Sequence, residues 1–279
     1  MPKYIKSILP GLYGACFNLL SIISPSLAAK KAFFTFTRVR KGRVLPQQQA
    51  FLENAKAGHV QAAGLELQTY HWTGAGQTVL LVHGWESNSF RWKNLIGYLL
   101  ENGFDVRAFD APAHGYSGGT HMPVPLYSDC LLELIRKYRP SYLIAHSVGG
   151  MTALFTQYRN PDNSLEKIVT IGAPSEFHEI LEQYRRLLHL NKRVMNALYT
   201  VFHDKYGFHI RDFSSSVFAR SINIKGLLVH DKFDTIAPFH ASEKVHEQWR
   251  DSLLLATEGL GHSIHQEEVN KKIVRFLIS

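Results

Sequence analysis

The chain has 279 residues, 45% hydrophobic and 19% charged, which excludes a disordered or fibrous protein and fits one large domain or one domain carrying an insertion. Its two cysteines, Cys16 and Cys130, lie far apart, so they form neither a disulfide framework nor a metal-binding pattern, and they suit a reducing, cytoplasmic compartment or simply a fold that does not depend on disulfides. The net charge of +8 sits in the first 52 residues, which hold Lys3, Lys6, Lys30, Lys31, Arg38, Arg40, Lys41 and Arg43 and no acidic residue. From Glu53 onward 23 basic residues balance 23 acidic ones. A nucleic-acid-binding protein would spread its charge over a face of the fold, so the pattern speaks against nucleic acid as a partner.

Taken in chain order, residues 7–29 carry no charge and have lysines on both sides. A signal peptide, a membrane anchor and helices packed on the body all fit such a stretch. Pro10, Gly11, Gly14, Asn18 and Pro25 interrupt it, and the apolar pattern runs past Ala28-Ala29 through Ala32, Phe33, Phe34 and Phe36. Packed N-terminal helices, in peripheral contact with an anionic membrane surface, fit this better than a spanning or cleaved segment. Residues 1–60 are therefore expected to form an N-terminal helical segment and residues 61–279 the body.

Leu45 to Gly64 reads as a loop followed by a short helix. Strands and helices then alternate. Strands are expected at Leu65–Trp72, Thr78–Val82, Phe104–Phe109, Ser141–Ala145, Lys167–Ile171, Gly226–Val229 and Ser252–Leu255. Helices are expected at Phe90–Glu101, Leu126–Tyr138, Val148–Tyr158, Phe239–Trp249 and Ile264–Leu277. Such alternation predicts an α/β protein, with a mostly parallel central sheet covered by helices on both faces. About residues 175–221 the alternation breaks. Phe177, Ile180, Leu181, Tyr184, Leu187, Leu188, Met195, Leu198, Tyr199 and Phe202 recur at helical spacing there, predicting a helical cap insertion. Its apolar residues suit plain packing and a lid over an acyl pocket equally well. Arg185, Arg186, Lys192 and Arg193 read as a solvated face.

The strongest local signal is Ala145-His146-Ser147-Val148-Gly149-Gly150, where an apolar strand meets a helix. A serine in so tight a turn is pushed above the sheet, and the residues two before and two after it must be small; here they are Ala145 and Gly149. The following helix favours negative charge at the site. A serine hydroxyl needs a base, and the base needs a group to orient it. His262, after Gly261, and Asp234 both lie just past the ends of expected parallel strands, where open α/β sheets place their sites. Asp231 competes with Asp234, and His265 with His262. Asp234 is preferred for its deeper place in the loop before Pro238, and Asp231 is read as a turn residue. His265 falls inside the expected last helix. The amides of Val148 and Trp85 are the candidate oxyanion donors, with Gly84 letting the Trp85 loop come close and His83 bracing it. No metal or organic cofactor is called for.

These residues, with Asp110-Ala111-Pro112-Ala113-His114-Gly115-Tyr116-Ser117, resemble the α/β-hydrolase family over about residues 65–279. The Phe33–Arg40 stretch looks like the N-terminal part of uncharacterised bacterial members. The resemblance implies the α/β-hydrolase fold and a serine hydrolase, esterase or lysophospholipase-like, acting on a small-molecule acyl ester or thioester. Family members that use an aspartate at the position of Ser147 resemble the chain less. Acyl transfer on the same residues, and a non-catalytic ligand-binding member of the fold, are the other functions open to this sequence.

Overall fold

The computed structural model describes residues 3–161 and 163–279. Two helices come first, α1 (Lys3–Ile23) and α2 (Pro25–Thr37). Ser24 caps the second, its Oγ accepting from the Leu27 amide at 3.3 Å, with Pro25 in the first turn where its missing N–H costs nothing. Then follow α3 (Pro46–Glu53), β1 (Lys56–Ala62), β2 (Leu65–Trp72), β3 (Thr78–Val82), a 3₁₀ turn (Ser89–Trp92), α4 (Lys93–Glu101), β4 (Asp105–Phe109) and α5 (Val124–Tyr138). The chain continues with β5 (Tyr142–His146), α6 (Val148–Arg159), β6 (Lys167–Ile171), α7 (Phe177–Leu188), α8 (Lys192–Tyr206) and α9 (Ser215–Ala219). It ends with β7 (Lys225–Asp231), α10 (His240–Gln248), β8 (Ser252–Thr257) and α11 (Glu267–Ile278).

Among the described residues eight strands form one sheet in the order β1-β2-β4-β3-β5-β6-β7-β8. The pairings β1–β2 and β2–β4 are antiparallel, and all the others are parallel. The central strands β3, β5 and β6 are buried on both faces, which explains their largely apolar runs, whereas the edge strand β8 is only partly covered. Val79 and Leu81 of β3 join Tyr142 and Ile144 of β5 in one core with α4 and α11. Leu80 and Val82 join Leu143 and Ala145 in the other, with α5, α6 and α10. The period-two alternation of a strand thus feeds two cores, one on each face.

Several sequence expectations are corrected. The end of the expected Leu45–Gly64 loop and helix is β1, so a boundary after residue 60 would cut a strand. Of its residues only Val60 and Ala62 are buried, too few to show as an apolar pattern. The expected helix from Phe90 starts as the 3₁₀ turn and becomes α-helical at Lys93. The last helix starts at Glu267, leaving His265 outside it. Ile264 is in the left-handed region at φ 48°, which a helix cannot pass through, and Glu267 and Glu268 suit the positive first turn.

The chain divides into two compact units. Val39–Ser175 with Ser215–Ser279 contains the whole sheet. The residues up to Arg38 with Glu176–Ser214 form a helical unit, within which an antiparallel bridge pairs Glu176 with Ser214. In it α1 packs on α2, α7 and α8, and α2 packs on α8. Phe36 lies against Tyr184 at 4.9 Å between ring centroids, and Phe177 against Phe202 at 4.9 Å. The Tyr184 hydroxyl donates to the Ala32 carbonyl at 2.9 Å.

Candidate active site

β5 delivers Ser147 directly into α6. Ser147 has φ 53° and ψ −128°, a strained backbone for a side chain with a Cβ, held by its own amide donating to the Ile171 carbonyl at 2.8 Å. The turn is closed so tightly that a Cβ on Gly149 would lie 2.5 Å from the His83 carbonyl oxygen. One on Gly84 would lie 2.9 Å from Ser147 Cβ. Glycine at 84 is therefore what lets the loop after β3 press against the serine.

The loops after β7 and β8 bring the other two residues to this point. His262 Nε2 lies 2.9 Å from Ser147 Oγ, and His262 Nδ1 lies 2.7 Å from Asp234 Oδ2. With Nδ1 donating to the carboxylate, Nε2 is the acceptor that faces the hydroxyl. Asp234 is fully buried at its side chain, while His262 keeps partial access to solvent. Burial works to raise the Asp234 pKa. Hydrogen bonds from His230 and His262 and from the Ile236 amide outweigh it and hold the carboxyl well below the usual range.

Asp231, the competing acid, points elsewhere. Its carboxylate accepts from the Phe233 amide at 3.0 Å, the Thr257 hydroxyl at 2.9 Å and the Leu260 amide at 2.8 Å. It ties the β7 loop to the loop that leads to His262. It is Asp234, and not Asp231, that the structure places against His262.

Trp85 follows Gly84, and Val148 is the first residue of α6. Among the described residues neither backbone amide donates to a protein acceptor. His83 and His114 hold the Trp85 loop. The Ala111 amide donates to His83 Nε2 at 2.8 Å and the Glu86 amide to His114 Nε2 at 2.9 Å. The remaining ring N–H of each then donates to a carbonyl, that of Gly84 or Pro112. Burial lowers the two imidazoles to about 4 and about 3, so both stay neutral acceptors.

Three supporting residues escaped sequence reasoning. His146 Nε2 donates to the His262 carbonyl at 3.0 Å, its ring tilted against that of His262 at 4.9 Å between centroids, and its Nδ1 is buried without a partner. Arg91 Nη2 donates to the next carbonyl, Ser263, at 3.1 Å. His230, buried at the end of β7, lies 3.4 Å from Asp234 Oδ2 and 2.8 Å from the Ala237 carbonyl. The signal for His146 was its place immediately before the serine; for His230 it was the four-residue spacing to Asp234. Nothing local in the sequence points to Arg91. Among the described residues no group of three or more His, Cys, Asp or Glu is placed to hold a metal ion.

A serine at a strained strand-to-helix turn above a mostly parallel sheet, reached by an imidazole from a later loop, defines an α/β-hydrolase. The family model described as serine aminopeptidase, S33, matches residues 74–216, just over half of the chain, and the chain belongs to this family of α/β-hydrolases. It is similar to the pimeloyl-[acyl-carrier protein] methyl ester esterase of Methylococcus capsulatus, 28% identical over 117 residues, which is 40% of this chain and 42% of that protein. The enzyme of the same name from Vibrio cholerae is 29% identical over 106 residues, 38% of this chain and 40% of that protein. The chain thus spans about two fifths of the length of these curated relatives. Among solved structures, the esterase EaEST from Exiguobacterium antarcticum superposes with a TM-score of 0.64 at 18% identity, over 80% of this chain and 100% of that one. A bromoperoxidase from Bacillus anthracis gives 0.63 at 16% identity, over 80% and 100%. At these identities the structural likeness carries the fold alone.

Proposed function

We propose that the protein is a serine hydrolase that cleaves a carboxylic ester or thioester through an acyl-enzyme. Ser147 Oγ attacks the acyl carbon while His262 Nε2 takes its proton. Asp234 orients His262 and stabilises the imidazolium. The Trp85 and Val148 amides receive the negative charge on the carbonyl oxygen. As the tetrahedral adduct collapses, His262 gives its proton to the leaving alcohol or thiol. Water then attacks the acyl-serine with His262 as base, and Ser147 is restored as the acid departs.

The observation that carries this reading is the single imidazole bridging Ser147 Oγ at 2.9 Å and Asp234 Oδ2 at 2.7 Å. Relatives named as methyl ester esterases support the ester as substrate class. The test is a panel of p-nitrophenyl esters of increasing acyl length, with aminoacyl p-nitroanilides alongside, combined with fluorophosphonate labelling. Turnover of an ester and a single label on Ser147 are expected, and Ser147→Ala should lower kcat by about 10⁶-fold. Ester turnover that survives that substitution, or a label on another residue, would overturn the reading.

A further inference from the structure

We infer that α1 is a docking face for an anionic lipid bilayer, which it meets lying in the plane of the interface. This goes beyond the proposed reaction and does not depend on it. The helix is turned inside out. Its buried positions are Gly14, Phe17 and Ser21, with Asn18 half-buried beside them. Asn18 Nδ2 donates to the His189 carbonyl at 2.9 Å, Asn18 Oδ1 accepts from the Asn191 amide at 2.9 Å, and Asn191 Nδ2 donates to Ser21 Oγ at 3.2 Å. Gly14 lies so close to α7 that a Cβ there would sit 1.5 Å from the Leu188 carbonyl oxygen. These contacts fix the rotation of α1 about its axis on the turn between α7 and α8.

That rotation sends the large aliphatic side chains outward. Leu12 is 57% exposed, Leu19 66%, Ile22 66% and Ile23 87%, with Leu9 and Tyr13 exposed beside them. An amphipathic helix facing water shows the opposite order. No helix among the described residues is long and apolar enough to cross a membrane, so the stripe fits burial to headgroup depth and not a span.

Charge selects the occupant. The helical unit carries eleven Lys and Arg against five Asp and Glu, six of the chain's eight net positive charges. Lys30 and Lys31 stand exposed on α2. A second copy of the chain would bring two units of net positive charge together, whereas an anionic bilayer accepts the apolar stripe and attracts that positive charge.

The experiment is flotation of the full chain with vesicles of phosphatidylcholine alone and of phosphatidylcholine with roughly one third phosphatidylglycerol. Partition into the anionic vesicles should be at least about tenfold stronger and should fall as salt rises to about 0.5 M. The double substitution Leu19→Glu, Ile22→Glu should reduce it about tenfold or more, with the thermal midpoint unchanged. Should that variant fail to fold, Lys30→Glu with Lys31→Glu decides by the same loss from anionic vesicles. Absence of vesicle binding, equal binding of the variants, or a dimer that the α1 substitutions dissociate without any effect on vesicles would overturn the inference.

Discussion

Two carboxylates three residues apart do different work because of what donates to them. Asp234 receives the His262 N–H, and removing its charge while keeping its shape should leave the imidazole in the wrong tautomer. Asp234→Asn should therefore lower kcat by about 10⁴-fold with little change in KM, read by steady-state kinetics on the best ester of the panel. Asp231 Oδ2 accepts from both Thr257 and Leu260. Replacing it by Asn places an N–H₂ or a single acceptor among those donors, at a cost of about 1–3 kcal/mol in stability. Asp231→Asn should thus lower the thermal midpoint while keeping kcat within about tenfold of the parent. The reverse pattern would exchange the roles of the two acids. His146 acts one step further out, through the His262 carbonyl. His146→Leu should leave that carbonyl short of a donor and let the imidazole drift. A fall in kcat of about 10²-fold is expected, with fluorophosphonate labelling of Ser147 slowed in proportion.

At the scale of elements, the loops after β3 and β4 are pinned to each other by two buried neutral imidazoles, and this makes stability depend on pH. His83 has a folded pKa of about 4 and His114 one of about 3, both pulled from 6.5 by burial. Below pH 6.5 the unfolded chain binds protons that the folded chain refuses, so the stabilisation is complete above that pH and is lost as pH falls toward 4. Each imidazole contributes a slope of about 1.4 kcal/mol per pH unit in that window. Urea midpoints measured from pH 7 down to 4.5 should fall accordingly, and His83→Gln, which keeps an acceptor for the Ala111 amide but cannot titrate, should flatten the slope by one proton. The sequence showed His83 as a brace because it sits between an apolar strand end and a glycine. It could not show His114, whose partner Glu86 lies 28 residues away. The same distinction runs through the fold. β3, β5 and β6 are buried on both faces and read directly as apolar runs, and the turn at Ser147 reads from its small neighbours. β1 exists because β2 pairs with it, and its polar residues carry no signal of their own. Ser147, Asp234 and His262 were legible because each stands just past a strand end, whereas Arg91 reaches its carbonyl from a 3₁₀ turn that shows no chemistry in the sequence.

At the scale of the whole molecule, the helical unit is assembled from two stretches about 140 residues apart in the chain, the residues up to Arg38 and Glu176–Ser214. Neither stretch has a complete core alone. Ala28, Ala29 and Ala32 of α2 are buried, α2 packs on both α1 and α8, and Tyr184 of α7 donates its hydroxyl to the Ala32 carbonyl. Asn18 satisfies both the His189 carbonyl and the Asn191 amide in the turn between α7 and α8. The sheet-bearing unit, by contrast, holds both of its cores within itself. Deleting residues 1–38 should therefore strip α7 and α8 of the helices that cover them and leave the turn between them without its donor and acceptor. Hydrogen exchange read segment by segment should show protection of α7 and α8 falling by about 10²-fold or more in the truncated protein, the equivalent of roughly 3 kcal/mol of local stability. Amides of β3, β5 and β7 should keep their protection. Protection retained in α7 and α8 would mean that the pair holds itself together without α1 and α2. The N-terminal helices would then contribute surface and charge to the protein but not structure.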